Sequence, residues 1–189
     1  MLNLSVLLED SARRAPDRDA VVLGTQRVSY AALDAAANQV AGLLRSRGIG
    51  PGAKVALSCP NLPYFPVVYF GVLKAGAIVV PLNVLLEADE VADQLDRCDA
   101  EAFFCFQGRP ELPIGERGGA AARQVGVRNT VLLPADPAAT HSPIAGMELY
   151  AAAVAGQPRR FDTVPTEPTD TAVILFGSGT TGRTPRGAE

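Results

Sequence analysis

The residues of this chain best suited to chemistry stand near its end, as Gly177-Ser178-Gly179-Thr180-Thr181-Gly182. Three glycines let the backbone turn tightly and aim successive amides at one point, an arrangement that suits an anion. Ser178, Thr180 and Thr181 add hydroxyl donors, and no acid within the run repels a polyphosphate. Glycine and hydroxyl runs are also common in plain turns, so the setting of this one matters. It follows directly on residues 171–176 (TAVILF), an apolar stretch that predicts a buried strand, and a ligand loop needs such a rigid base.

The loop partly fits the pattern G-x-x-x-x-G-K-[ST], with Gly177, Gly182, Arg183 and Thr184, but Arg stands where a compact lysine ammonium is required. Pro185 would also interrupt the helix whose N-terminus completes that kind of site. The other reactive side chains read as structural. Cys59, Cys98 and Cys105 show no metal-binding spacing, and an odd number makes a poor disulfide framework. His141, the single histidine, sits in a Pro/Ala-rich loop, which argues against a Ser-His-Asp or Cys-His site. Glu87, Asp89, Glu90, Asp93 and Asp96 read as the solvated face of a helix, so neither a catalytic residue nor a metal site is assigned. Tyr64, Phe65, Tyr69 and Phe70, with Phe103, Phe104 and Phe106, read as core.

The elements that must position the loop are legible as periodic segments. Residues 4–14 predict a short amphipathic helix, residues 20–23 and 27–28 a hairpin, and Ser29 the N-cap of a helix reaching about Arg47. Residues 54–58 predict a strand, 61–75 an apolar helix, 77–81 a second strand, 87–98 an acidic helix and 101–106 a third strand. Strands alternating with helices predict an α/β fold. Three regions emerge: an α/β core over 1–106, a loop-rich stretch over 107–170, and the strand with its loop over 171–189. In the middle stretch only a strand at 129–133 and a small helix near 147–155 stand out.

Composition narrows the function classes. Of 189 residues 48% are hydrophobic and 20% charged, enough for a packed core. The net charge of −3 and the scattered arginines exclude nucleic acid as the main partner, because phosphate neutralisation needs clustered cations. The apolar region 64–86 is broken by Pro66, Lys74, Pro81 and Asn83, and so reads as core and not as a membrane span. The N-terminus lacks the leading positive charge of a signal peptide, and a cytoplasmic location is expected.

Residues 176–189, FGSGTTGRTPRGAE, resemble the phosphate loop of the AMP-forming synthetases, the family of acyl-CoA synthetases, luciferases and peptide-synthetase adenylation domains. The resemblance extends upstream through Pro16-Asp17-Arg18, Val28-Ser29-Tyr30, Asn38, Lys54-Val55-Ala56-Leu57, Gly71-Val72-Leu73-Lys74-Ala75-Gly76-Ala77 and Pro81-Leu82-Asn83. It is strongest towards bacterial fatty-acid-CoA ligases. It implies the N-terminal part of the large domain of such an enzyme. It further implies ATP, Mg²⁺ and coenzyme A as cofactors, a fatty acid as substrate, and Ser178, Gly179, Thr180, Thr181, Gly182 and Arg186 as phosphate-binding residues.

Three departures stand against the family pattern: Gly177 replaces a hydroxyl residue, Arg183-Thr184 fills a single variable position, and Arg186 replaces lysine. In a typical member most of the large domain and the mobile C-terminal domain come after this loop. The resemblance therefore implies that the chain is inactive alone and is either a non-catalytic fragment or a piece that pairs with another chain or with itself.

Overall fold

The computed structural model describes residues 3–177. Its first element is α1 (Val6–Arg14), followed by a hairpin of β1 (Asp19–Leu23) and β2 (Gln26–Ser29). The long helix α2 (Tyr30–Ser46) starts where the sequence predicts, because the Ser29 hydroxyl accepts from the Ala32 amide, one of the donors a helix start leaves free. The helix α3 (Tyr64–Lys74) begins three residues later than predicted. A proline disfavours the helical region for the residue before it, which for Pro63 is Leu62, and Pro63 itself serves as N-cap.

Strands β3 (Lys54–Ser58), β4 (Ile78–Pro81), β5 (Ala100–Phe106), β6 (Asn129–Leu133) and the short β7 (Glu148–Leu149) form one parallel sheet in the order β4-β3-β5-β6-β7. From β3 the chain steps through α3 to β4, then returns past β3 through α4 (Ala88–Arg97) to β5. Right-handed crossovers in opposite directions must place their helices on opposite faces. Side chains obey that rule. Val55, Leu57, Val79, Ala102, Phe104, Val131 and Leu133 face α2 and α3, whereas Ala56, Val80, Phe103, Cys105 and Leu132 face α4 and α5 (Ile114–Val125). Both faces are apolar, as a parallel sheet covered on both sides requires.

Two close approaches depend on glycine. A Cβ on Gly71 would lie 2.5 Å from Val40 Cβ, so α2 and α3 touch there backbone to side chain. A Cβ on Gly118 would lie 2.5 Å from Cys105 Sγ, which seats α5 directly on β5.

The stretch 107–170 departs from its reading as loop-rich surface. Helix α5 is a full element whose Ile114, Gly115, Gly118, Gly119, Ala121 and Ala122 are buried. Its glycines and alanines read as loop composition, yet here they let the helix lie close to the sheet. Strand β6 is as predicted, and the small helix reduces to α6 (Tyr150–Ala153) after β7. From α6 the chain runs back as an extended strap across α2 and α3 to the opposite edge of the sheet. Asn38 Nδ2 donates to Arg159 O (3.0 Å), Gln39 Nε2 donates to Gln157 O (3.2 Å), and the Arg45 guanidinium lies 4.4 Å from the Phe161 ring centre.

Candidate functional site

The strap delivers residues 171–177 to the free edge of β4. There the Val79 amide donates to Ala172 O (3.0 Å) and the Ile174 amide donates to Val79 O (2.9 Å), making a parallel bridge between Val79 and Val173. The predicted strand over 171–176 is thus cut to a single bridge. The cause lies in β4. Residues 78 and 82 turn their amides to β3, leaving alternate residues 79 and 81 to face the incoming segment. The next bond of the ladder would run from residue 81 to Ile174 O, but Pro81 has no N–H.

Parallel pairing fixes the direction of the segment. Residues 172–177 run the same way as β3, β4 and β5 and leave the sheet at the C-terminal ends of its strands. In open α/β sheets ligands bind outside that end. Ala172 and Val173 pack against the α2/α3 side, and Ile174 and Phe176 against the α4/α5 side, so the segment is wedged at the sheet edge while Leu175 is 73% exposed. The residues expected to hold phosphate, Ser178, Gly179, Thr180, Thr181, Gly182 and Arg186, lie outside the described residues.

The other reactive groups among the described residues are not poised for covalent chemistry. Burial pushes the Cys59 thiol up to about 12 from 9.0 and also raises Cys98 and Cys105, so all three stay protonated at neutral pH. Tyr64 and Tyr150 meet edge to face with ring centres 5.4 Å apart, and burial raises both hydroxyls. His141 is exposed, with Nδ1 3.3 Å from the Thr140 hydroxyl. Three acids in or capping α4 take structural partners: Glu90 accepts from the Glu87 amide (2.9 Å), Asp93 pairs with Arg97, and Glu87 pairs with Arg117. Among the described residues there is no cluster of His, Cys, Asp and Glu that could hold a metal. No helix among them is long and apolar enough to cross a membrane.

Sequence reasoning overlooked one buried polar group. Lys74, whose side chain is 2% exposed, places Nζ 2.8 Å from Glu9 Oε1 and 2.9 Å from Asp34 Oδ1. Glu9 also accepts from the hydroxyls of Ser5 and Thr163. Its carboxyl sits below the usual 4.5, because the Lys74 and hydroxyl contacts outweigh the opposing effect of burial. The available signal was Lys74 itself, the one charge in the apolar stretch 64–86.

Residues 8–188 match the family described as AMP-binding enzyme. The chain is 30% identical over 184 residues to a medium/long-chain-fatty-acid–CoA/3-oxocholest-4-en-26-oate–CoA ligase of Mycobacterium marinum, covering 96% of this chain and 32% of that protein. It is 30% identical over 189 residues to the long-chain-fatty-acid–CoA ligase FadD13 of Mycobacterium tuberculosis, covering 99% and 34%. Among solved structures it is similar to ATP-bound MatB of Rhodopseudomonas palustris, with a TM-score of 0.76 at 28% identity, covering 96% of this chain and 33% of that one. The chain spans about a third of the length of each of these relatives.

Proposed function

The chain belongs to the AMP-binding enzyme family, and from that premise we propose that it supplies the phosphate-binding part of a fatty-acid-CoA ligase. In that reaction a fatty-acid carboxylate attacks the α-phosphorus of ATP, pyrophosphate leaves, and coenzyme A takes the acyl group from the acyl-AMP. The substrate class rests on the printed names of relatives at 30% identity. Nucleotide binding rests on the likeness to an ATP-bound relative at 28% identity. A cytoplasmic setting accords with an acidic chain and a described fold without a membrane-spanning helix.

The observation that carries this reading is the seat of residues 172–177. They run parallel to β4 and leave the sheet at the C-terminal ends of its strands, where ligands bind in open α/β sheets, and residues 178–182 follow them directly in the sequence. Amides and hydroxyls of Ser178, Gly179, Thr180, Thr181 and Gly182 would donate to the β- and γ-phosphates, with the Arg186 guanidinium opposing their charge. When bound with the nucleotide, magnesium would neutralise phosphate charge. The chain spans about a third of the length of the relatives that carry this activity. The 189-residue chain is therefore proposed to bind ATP without turning it over.

Fatty-acid-dependent ATP–pyrophosphate exchange, run beside equilibrium binding of ATP in magnesium buffer, tests both halves. The expected result is binding without exchange, with Ser178→Ala weakening the binding about tenfold, the loss of one charge-assisted hydrogen bond. Exchange by the chain alone would refute its inactivity. Binding indifferent to Ser178→Ala and Thr181→Ala would refute the phosphate loop.

A further inference from the structure

An ammonium group buried to 2% exposure is costly unless it is paired, and an apolar residue would serve α3 better if packing were its only task. Lys74 instead gathers three elements at one point: Glu9 from α1, Asp34 from α2 and, through Glu9, the Thr163 hydroxyl of the strap. Its own carbonyl accepts from the Val164 amide (2.9 Å). Asn3 Nδ2 closes the arrangement by donating to Leu73 O (2.7 Å) and Val164 O (2.9 Å). Beyond Val164 the strap makes one tight turn, where Asp170 Oδ2 accepts from the Glu167 amide (2.8 Å), and then reaches Ala172 and the edge of β4.

We propose that Lys74 is a positioning residue for the phosphate-binding loop, acting through Glu9, Thr163 and Val164 on the placement of residues 172–177. The proposal rests on the reading of residues 178–182 as that loop. The physical need for it follows from the single bridge at Val173. Two backbone hydrogen bonds do not by themselves fix the register of a segment that ends in a ligand site, so the fixed point lies upstream, where the strap is pinned to a buried charge.

The test separates the Thr163 hydroxyl from its shape. Thr163→Val keeps the shape and removes the donor to Glu9, while Thr163→Ser keeps the donor. Amide hydrogen exchange is followed at Val164 and Ile174, with Leu57 and Phe104 as controls, and ATP binding in magnesium buffer is measured on the same proteins. In Thr163→Val, exchange at Val164 and Ile174 is expected to rise about tenfold with the controls unchanged, and ATP binding to weaken about tenfold. Thr163→Ser should match the wild type in both readouts. Lys74→Met should show the same pattern with larger effects, and if it fails to fold the Thr163 pair decides alone. Unchanged exchange at Ile174 in Thr163→Val, or identical behaviour of the serine and valine variants, would overturn the proposal. Expected exchange patterns with no ATP binding by any protein, wild type included, would overturn the phosphate-loop reading while upholding the clamp on residues 172–177.

Discussion

At the middle of the sheet β5 pairs five residues with β3 and five with β6, and its side chains bury into helices on both faces. At the β4 edge, residues 172–174 pair once, and what precedes them is pinned by a lysine, two carboxylates and a hydroxyl. The centre is secured many times over by contacts of one kind, so no single bond there decides where a residue sits. The edge is secured by few contacts of a directional kind, and each one counts. A segment that leads to a ligand loop is placed by geometry more than by apolar area, and such segments come from the low-stability end of a fold.

The comparison breaks first at the centre. Phe104 is wholly buried between β3 and β6 on the α2/α3 face, and Phe104→Ala should cost about 3–5 kcal/mol. Urea unfolding reads this directly. A loss below about 1 kcal/mol would mean that the centre is not the stable half of the molecule.

A smaller change sharpens the contrast between the two faces. In Gly118→Ala the added methyl meets Cys105 Sγ at 2.5 Å and Phe103 Cε1 at 3.0 Å. Overpacking costs about 1–3 kcal/mol against a helix-propensity gain of up to about 1 kcal/mol, so a net loss of about 1 kcal/mol is expected in the unfolding midpoint. Stabilisation instead would show that α5 is free to lift from the sheet.

The smallest effect belongs to the edge and is one of pH. The Glu9 carboxyl is held below 4.5 in the fold, so its contribution is complete above that value and fades as pH falls through the lower, folded value. Thermal unfolding of wild type and Glu9→Gln should therefore differ at pH 6 and converge as pH drops below 4.5. A difference that stays constant down to pH 3 would remove Glu9 from the polar clamp.

What the sequence made legible follows the same division. Strands β3, β4, β5 and β6 and helices α2 and α4 carry apolar periodicity that any short window reveals, and the α/β architecture follows from their alternation. Helix α5 was hidden because closeness to the sheet demands Gly115 and Gly118, and closeness to Ile144 demands Gly119, residues that in isolation signal a loop. The entry segment was legible as apolar but not as weakly paired, since the missing N–H belongs to Pro81, far away along the chain. Of the Lys74 cluster only the lysine gave a signal, as the one charge in an apolar stretch, because Glu9, Asp34, Lys74 and Thr163 share no local pattern. The stretch 176–189 was legible through its resemblance to a family pattern and not from its glycines and hydroxyls alone, and its residues from Ser178 onward fall outside the described structure.

The long return of the strap also sets an order of events during synthesis. Lys74 leaves the ribosome after Glu9 and Asp34, so both its carboxylate partners are already present when it appears. The open flank of β4 has no such luck: its partner, Ala172, is made about ninety residues later, a wait of roughly 5–20 s at ordinary rates of elongation. Throughout that interval, while β5, β6 and β7 are still being added on the other side of β3, the nascent chain carries an uncovered strand edge. The last piece to close it is residues 172–174, which lead directly into the glycine-rich run of the sequence.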